Sequence, residues 1–297
     1  MKKIVVTGSL AYDHLMTFDG KFSQSLIVEK LDDLSVSFLA DSHVQDFGGC
    51  AGNIAYNLKL LGCEPLILGV AGADFQRYAK WLKSLGISTD HVFIDQQKNT
   101  ASAYVLSDKK QNQISIFSPS AMENYKNGLE LKGVNLADIA CAIIAPEPPK
   151  RMLGFGRYFR KNAVPYIFDP GQAIPAMSKE EILELLKGAV GMILNEYELA
   201  MIKKKAGLNI KNGFLIKTTG EKGCEIFEKG KVVKVPAVSG VKVVDVTGCG
   251  DAFRAGFIAG YVEGKSLIEA CKMANRCAAF ALEQRGTQNH KFTRKNF

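Results

Sequence analysis

Short apolar runs alternate along the chain with stretches whose apolar positions recur every three or four residues. "KKIVVTGS", residues 2–9, is an apolar run closed by a glycine turn, which predicts a buried strand. In "NIAYNLKLLG", residues 53–62, Ile54, Leu58 and Leu61 share one helical face and Gly62 stops the helix. "PLILGVAG" predicts a second strand and "FQRYAKWLKSLG" a helix ending at Gly86. The rhythm resumes with "CAIIAP" as strand, "KRMLGFGRYFRKN" as helix and "VPYIFDPG" as strand. "SKEEILELLKG" predicts a helix capped by Ser178 with Glu181 in a capping box. "VGMILN", "EYELAMIKKKAG" and "GFLIKTTG" continue as strand, helix and strand. "CEIFEKGKVVKVP" predicts a hairpin turning at Lys229-Gly230, and two helices follow, over 250–263 and 266–284.

Such alternation predicts a mostly parallel sheet covered by helices on both faces. Two regions depart from it. Residues 11–47 hold short apolar stretches such as "LIVEKL" and "LSVSFL" without a long helix. Residues 91–117 hold "HVFID", "ASAYVLSD" and "QISIFS", which read as antiparallel strands with "DKKQN" as a hairpin turn. Together they predict a small sheet, a lid, beside a single domain spanning 1–297.

Composition adds little: 47% apolar and 23% charged residues are those of a globular chain. The formal charge of +8 suits a polyanionic small ligand, but the basic residues are scattered, and nucleic acid is not expected as a partner. Seven cysteines without a Cys-x-x-Cys pair point to reduced thiols in a cytosolic setting, not to disulfides or zinc. The apolar run at the N-terminus is too short for a signal peptide, and no run reaches membrane-spanning length. His14, His43, His91 and His290 show no metal-ligand spacing.

The densest chemistry lies in "DVTGCGDAFRAG", residues 245–256. If Gly248-Cys249-Gly250 turns the chain into a helix, the unpaired first amides form an anion site. Asp251 beside that site could take a proton from a hydroxyl attacking phosphorus. The helix end should keep Asp251 ionised, which makes it an available but weak base. A plain helix cap and turn would use the same residues. Cys249 reads as a small packed side chain, although a helix N-terminus can lower a thiol pKa.

"DVTGCGDAFRAGF" resembles the C-terminal signature of the PfkB, or ribokinase-like, family of carbohydrate and nucleoside kinases, and "FGGCAGNIAYNLKLLG", residues 47–62, resembles its N-terminal glycine signature. The likeness covers essentially the whole chain. It implies a ribokinase-like three-layer α/β/α sandwich with a β lid, ATP as phosphoryl donor, and Mg²⁺. No Walker A pattern is present.

By that resemblance Asp13, Gly48, Gly49 and Asn53 hold the acceptor. Trp81 and the Phe and Tyr residues read mostly as core, and Phe117 could instead stack a base from the lid. "NEYE" matches an Asn-x-x-Glu motif in which Asn195 lies near ATP and Glu198 organises Mg²⁺ through water; both residues could also simply cap a helix. Thr218, Gly220 and Gly223 resemble the nucleotide-contacting loop, with an adenine pocket between residues 236–244 and Asn275 and Ala279. Asp245 and Thr247 match a monovalent-cation site, K⁺ in kind, that "RGTQNH" could complete; turn support would explain the same residues. Arg254 could touch phosphate or lid, or pair on the surface.

"FDPGQAIP", "GDAFRAGF" and the glycine signature resemble bacterial adenosine-kinase-like members, so the expected reaction phosphorylates the 5′-hydroxyl of a nucleoside, adenosine first. A sugar kinase for ribose, fructose or a phosphorylated hexose is the alternative, with Lys109 and Lys110 as the only clamp near the lid. A nucleotide-binding protein without turnover is the other. A homodimer through the lid is a further expectation.

Overall fold

In the computed structural model residues 3–26, 33, 35–110, 112–207 and 213–297 are described. In chain order they form β1 (Lys3–Thr7), β2 (Ala11–Thr17), the one-turn helix α1 (Phe22–Ser25), β3 (Ser42–Gly48), α2 (Cys50–Leu60), β4 (Glu64–Ile67), β5 (Gly69–Gly72), α3 (Gln76–Ser84), β6 (Val92–Asp95), β7 (Ala101–Ser107) and β8 (Gln113–Ser118). Then come β9 (Ile139–Ile144), α4 (Pro149–Lys161), β10 (Tyr166–Phe168), α5 (Lys179–Leu186), β11 (Ala189–Asn195), α6 (Glu196–Ala206), β12 (Phe214–Thr218), β13 (Cys224–Glu228), β14 (Lys231–Val235), α7 (Cys249–Val262) and α8 (Leu267–Leu282).

Eight strands make one sheet in the order β14-β13-β12-β11-β10-β9-β1-β4. From β12 to β4 all neighbours are parallel; β13 and β14 add an antiparallel hairpin at the edge. Successive side chains on a strand point to opposite faces, and here that alternation sorts the core into two layers. Ile4, Val6, Cys141, Ile143, Ile167, Ile193 and Ile216 face the layer with α2, α3, α7 and α8. Val5, Ala142, Ile144, Tyr166, Phe168, Met192, Leu194 and Leu215 face the layer with α4, α5 and α6. The result is a helix–sheet–helix sandwich.

The second strand departs from expectation. "PLILGVAG" divides at Leu68, whose amide still bonds Val6 O at 3.0 Å. Beyond it, β5 leaves the large sheet and pairs in parallel with β6. A side chain at Gly72 would collide with the backbone of 98–100, so glycine permits that close approach. "HVFID" therefore belongs to this pair and not to the small sheet.

The small sheet has the order β3-β2-β7-β8. β2–β3 and β7–β8 are antiparallel, but β2–β7 is parallel, unlike the all-antiparallel expectation. Asp108 closes the β7–β8 turn: its Oδ1 accepts from the amides of Lys110 (2.8 Å) and Asn112 (2.9 Å). Gln111 of that turn, Leu34 of "LSVSFL" and "LIVEKL" beyond Leu26 lie outside the described residues.

Candidate active site

Parallel α/β sheets offer ligand sites beyond the carboxyl ends of their strands. A cavity of about 580 Å³ lies there, lined by Pro146 after β9, Asp169 after β10, Asn195 ending β11 and Thr218 ending β12. Cys50 from α2 and Gly248, Cys249, Gly250, Asp251 and Arg254 from the start of α7 complete its wall. Gly248 caps α7 in the left-handed region, φ 76°, where a side chain would also press on Thr287. The Cys249 amide closes onto Val246 O at 3.4 Å. The first helical amides left open for an anion are therefore those of Gly250 and Asp251.

Asp251 is not the weak base expected from a helix end. Burial pushes its carboxyl up to about 6; the hydrogen bond from Asn53 and the charge of Arg254 oppose that shift without cancelling it. Asn53 Nδ2 donates to Asp251 Oδ2 at 2.8 Å. Arg254 is neither a surface partner nor a lid contact. It is buried and grips Asp169 with Nε and Nη2, the latter at 2.7 Å from Oδ1, while Nη1 donates to Gly250 O at 3.1 Å. Glu198 Oε2 lies 3.9 Å from Nη2. A guanidinium thus underlies the glycine turn, neutralised mainly by Asp169, which the motif reading missed. Its sequence signals were an acid directly after a buried strand and its place in "FDPGQAIP". The Cys249 thiol is also pushed up, first by burial and then by Asp251, which suits a packed side chain and not a reactive one.

Asp13 lies on β2 in register with Asp46 on β3 and, through Ala103, with Phe117 on β8. Residues in register share a sheet face, so the half-exposed Phe117 ring is on the Asp13 side. A Cβ on Gly48 would overlap the Asp13 carboxylate, and one on Gly49, φ 86°, would overlap Ser9 O. Gly48 thus lets β3 close against Asp13, and Gly49 lets α2 start against the backbone of Ser9 and Ala11. Burial, then Asp251 and Asp46, raise the Asp13 carboxyl to about 7. Asn53 is buried, and its Oδ1 accepts from Gln288 Nε2 at 3.0 Å. With one Nδ2 hydrogen on Asp251, it keeps a single donor for an acceptor molecule.

A second cavity of about 600 Å³ shares Thr218, Gly220, Cys249 and Gly250 with the first. Gly223, Val238, Val243, Phe253, Asn275, Ala279 and Leu282 are among its other walls, close to the adenine pocket expected from the loop and last helix. Asn275 Nδ2 holds Pro236 O at 2.8 Å and so fixes that loop. Gly223, φ 95°, packs so tightly against Val235 and Pro236 that no side chain fits.

Asn195 and Glu198 form a reciprocal capping box on α6, with both hydrogen bonds at 2.8 Å. Glu198 lines the first cavity, and the contacts recorded for its carboxylate run through Oε2. Asp245 accepts from the amides of Thr247 and Gly286, both at 2.9 Å. These bonds outweigh burial and keep its carboxyl low. The "RGTQNH" segment thus does fold onto Asp245. Lys109 pairs with Asp19 at 2.7 Å on the surface, away from any clamp.

A model of the pfkB family carbohydrate kinases matches residues 1–294. The chain belongs to that family. As a pfkB kinase it is a phosphotransferase with an alcohol acceptor. A nucleoside kinase of Methanocaldococcus jannaschii is 30% identical, over 98% of this chain and 93% of the relative. The nucleoside kinase of Burkholderia thailandensis in complex with inosine is similar in structure, with TM-score 0.87 and 33% identity over 98% of this chain and 95% of that one. The ribokinase of Arabidopsis thaliana complexed with ribose and ATP shares the fold, at TM-score 0.81 and 22% identity, with 99% of this chain and 96% of that chain covered. The fold is therefore ribokinase-like.

Proposed function

We propose that the chain is an ATP-dependent nucleoside kinase that moves the γ-phosphoryl group onto the 5′-hydroxyl of a ribonucleoside, adenosine first. The carrying observation is the meeting of two cavities at one glycine turn, with Asp251 on the wall and Asp13 close enough to feel its charge. ATP lies with its base near Asn275 and Ala279 and its phosphates over Thr218, Gly220 and the α7 amides. The ribose of the acceptor bonds Asp13 and the backbone at Gly48 and Gly49, with Phe117 against its base.

Asp251 takes the 5′-hydroxyl proton as the new O–P bond forms and the bond to ADP breaks. The free amides and Arg254 stabilise charge on the phosphoryl oxygens. Glu198, a carboxylate on the cavity wall, fits a Mg²⁺ ion held through water; bound there, the ion would supply charge neutralisation at the phosphates. Asp245 and Thr247 are proposed to hold K⁺ with the lone pairs their loop bonds leave free. The nucleoside choice draws on the relatives named nucleoside kinases and on the surface pairing of Lys109, which weakens a phosphosugar clamp.

We also propose a homodimer through the small sheet, supported by exposed Tyr104, Ile114 and Ile116 on the face opposite Asp13 and readable by sedimentation. In that reading strands 11–17, 42–48, 101–107 and 113–118 are the lid. The unpaired cysteines favour a cytosolic setting; among the described residues no helix is long and apolar enough to cross a membrane.

The test is a panel of adenosine, inosine, guanosine, cytidine, ribose and fructose 6-phosphate with ATP and Mg²⁺. Adenosine should show the highest kcat/KM; preference for ribose over every nucleoside overturns the acceptor assignment, and tight ATP binding without turnover overturns the kinase. Asp13 adds a pH signature. Only its ionised form accepts from both ribose hydroxyls, so the nucleoside KM should fall as pH rises through about 7. In Asp13→Asn that dependence should vanish; a KM flat with pH in the unmodified enzyme would remove Asp13 from the acceptor pocket.

A further inference from the structure

Behind Asp251 runs a buried chain of hydrogen bonds with a fixed direction. The indole Nε1–H of Trp81, on α3, donates to Gln288 Oε1 at 2.9 Å. Gln288 Nε2 donates to Asn53 Oδ1 at 3.0 Å, and Asn53 Nδ2 donates to Asp251 Oδ2 at 2.8 Å. The second hydrogen of Gln288 Nε2 goes to Tyr78 OH at 2.6 Å, and that hydroxyl donates to Gly48 O at 2.9 Å. Gln288, Asn53 and Tyr78 are all buried.

The two ends of this chain allow one polarity only. An indole N–H can donate and never accept, and an ionised carboxylate can accept and never donate. The two amides between them could each be turned over at little cost if isolated. Turning Asn53 would set its Oδ1 against the Asp251 carboxylate. Turning Gln288 would set its Oε1 against Asn53 Oδ1 and its Nε2 against the indole donor. With Trp81 in place, each amide has one satisfied orientation, and that orientation delivers an N–H to Asp251. Such end-to-end polarisation strengthens each bond in a low-dielectric interior.

We propose that Trp81 and Gln288 are positioning residues that lock the Asn53 amide with its donor toward Asp251, so that an indole on α3 sets the basicity and aim of the proton acceptor. This rests on Asp251 being that acceptor. Besides Asn53, the charged and titratable groups close enough to act on Asp251 are Arg254, Asp169, Cys50, Cys249, Tyr78 and Asp13. Of these only Tyr78 touches the chain, accepting from Gln288 Nε2; Trp81→Phe leaves that bond in place and so isolates the indole donor.

Trp81→Phe keeps the stack on Phe47, whose ring centroid lies 6.0 Å away, but removes the donor. Loss of the locked donor destabilises the ionised carboxylate. The acidic limb of kcat against pH should therefore move to higher pH by roughly half a unit or more. At pH 6.5 kcat should fall about 1.5-fold for a half-unit shift and about threefold for a full unit, because the carboxyl starts near 6, and recover by pH 8.5 with the ATP KM unchanged. Gln288→Met should do the same. A variant that merely loosens the fold would lose rate at every pH.

A second readout needs no turnover. Trp81 is the only tryptophan in the chain, so a ¹⁵N-correlated spectrum holds one indole signal. That signal should titrate together with Asp251, still titrate in Asp13→Asn, and stop titrating in Asp251→Asn and in Gln288→Met. A dead Asp251→Asn enzyme with unshifted limbs in both Trp81→Phe and Gln288→Met, or an indole signal indifferent to Asp251, overturns the proposal. A fully active Asp251→Asn enzyme overturns instead the reading of Asp251 on which it rests.

Discussion

Asp251→Asn should lower kcat by at least about a hundredfold while ATP still binds, because general-base help is typically worth 10²–10⁴. Turnover within a few-fold of the unmodified enzyme would contradict the role given to Asp251. The same change should stabilise the fold. Burial raises the folded carboxyl to about 6 from the ordinary 3.8, so the folded chain holds a proton that the unfolded chain releases. Stability is therefore lost as pH rises through that window and stays lower above it. Asparagine keeps an oxygen for Asn53 without the charge, so Tm should exceed that of the unmodified enzyme at pH 8. Near pH 3.5 the two should converge. Calorimetry at both values tests the sign, and an equal or lower Tm at pH 8 would contradict it.

Arg254→Met should be the most destabilising single change in the site. It strips the partner from Asp169, which is 1% exposed, and breaking a buried ion pair in this way costs about 3–5 kcal/mol. It also removes the tie to Gly250 O and, with it, the cation beneath the glycine turn proposed to receive the phosphates. Denaturant titration should show the loss, and turnover should nearly vanish. Adding Asp169→Leu to Arg254→Met should recover much of the stability, since no lone charge remains buried, but none of the rate. Recovery of rate in the double variant would mean that Arg254 serves the fold alone.

How far the sequence could be read depended on the range of the interactions. Strand and helix periods are local, so the large sheet and its two helical layers were legible from runs such as "KKIVVTGS" and "EYELAMIKKKAG". The break at Leu68 was not, because the reason β5 leaves the sheet is a neighbour far along the chain, the backbone of 98–100 against Gly72. The direction of β7 beside β2 is likewise set by the path of the intervening chain.

The motif residues came together at the strand ends, but their electrostatics did not follow from the motifs. A helix end acting alone would have held Asp251 low; burial in the finished pocket outweighs it. Asp169 and Gln288 lie 82 and 37 residues from Asp251, and nothing local marks them as its neighbours. Arg254 invited a surface reading because arginines are mostly exposed; only the position of Asp169 after β10 makes its burial tolerable.

The most direct measurement is a crystal structure with adenosine and a non-hydrolysable ATP analogue bound together. The adenosine 5′-oxygen should lie within about 3 Å of an Asp251 carboxylate oxygen, in line with a γ-phosphorus capped by the amides of Gly250 and Asp251. Both ribose hydroxyls should rest on Asp13. A 5′-oxygen held well beyond hydrogen-bond reach of Asp251, with the γ-phosphate away from those amides, would contradict it.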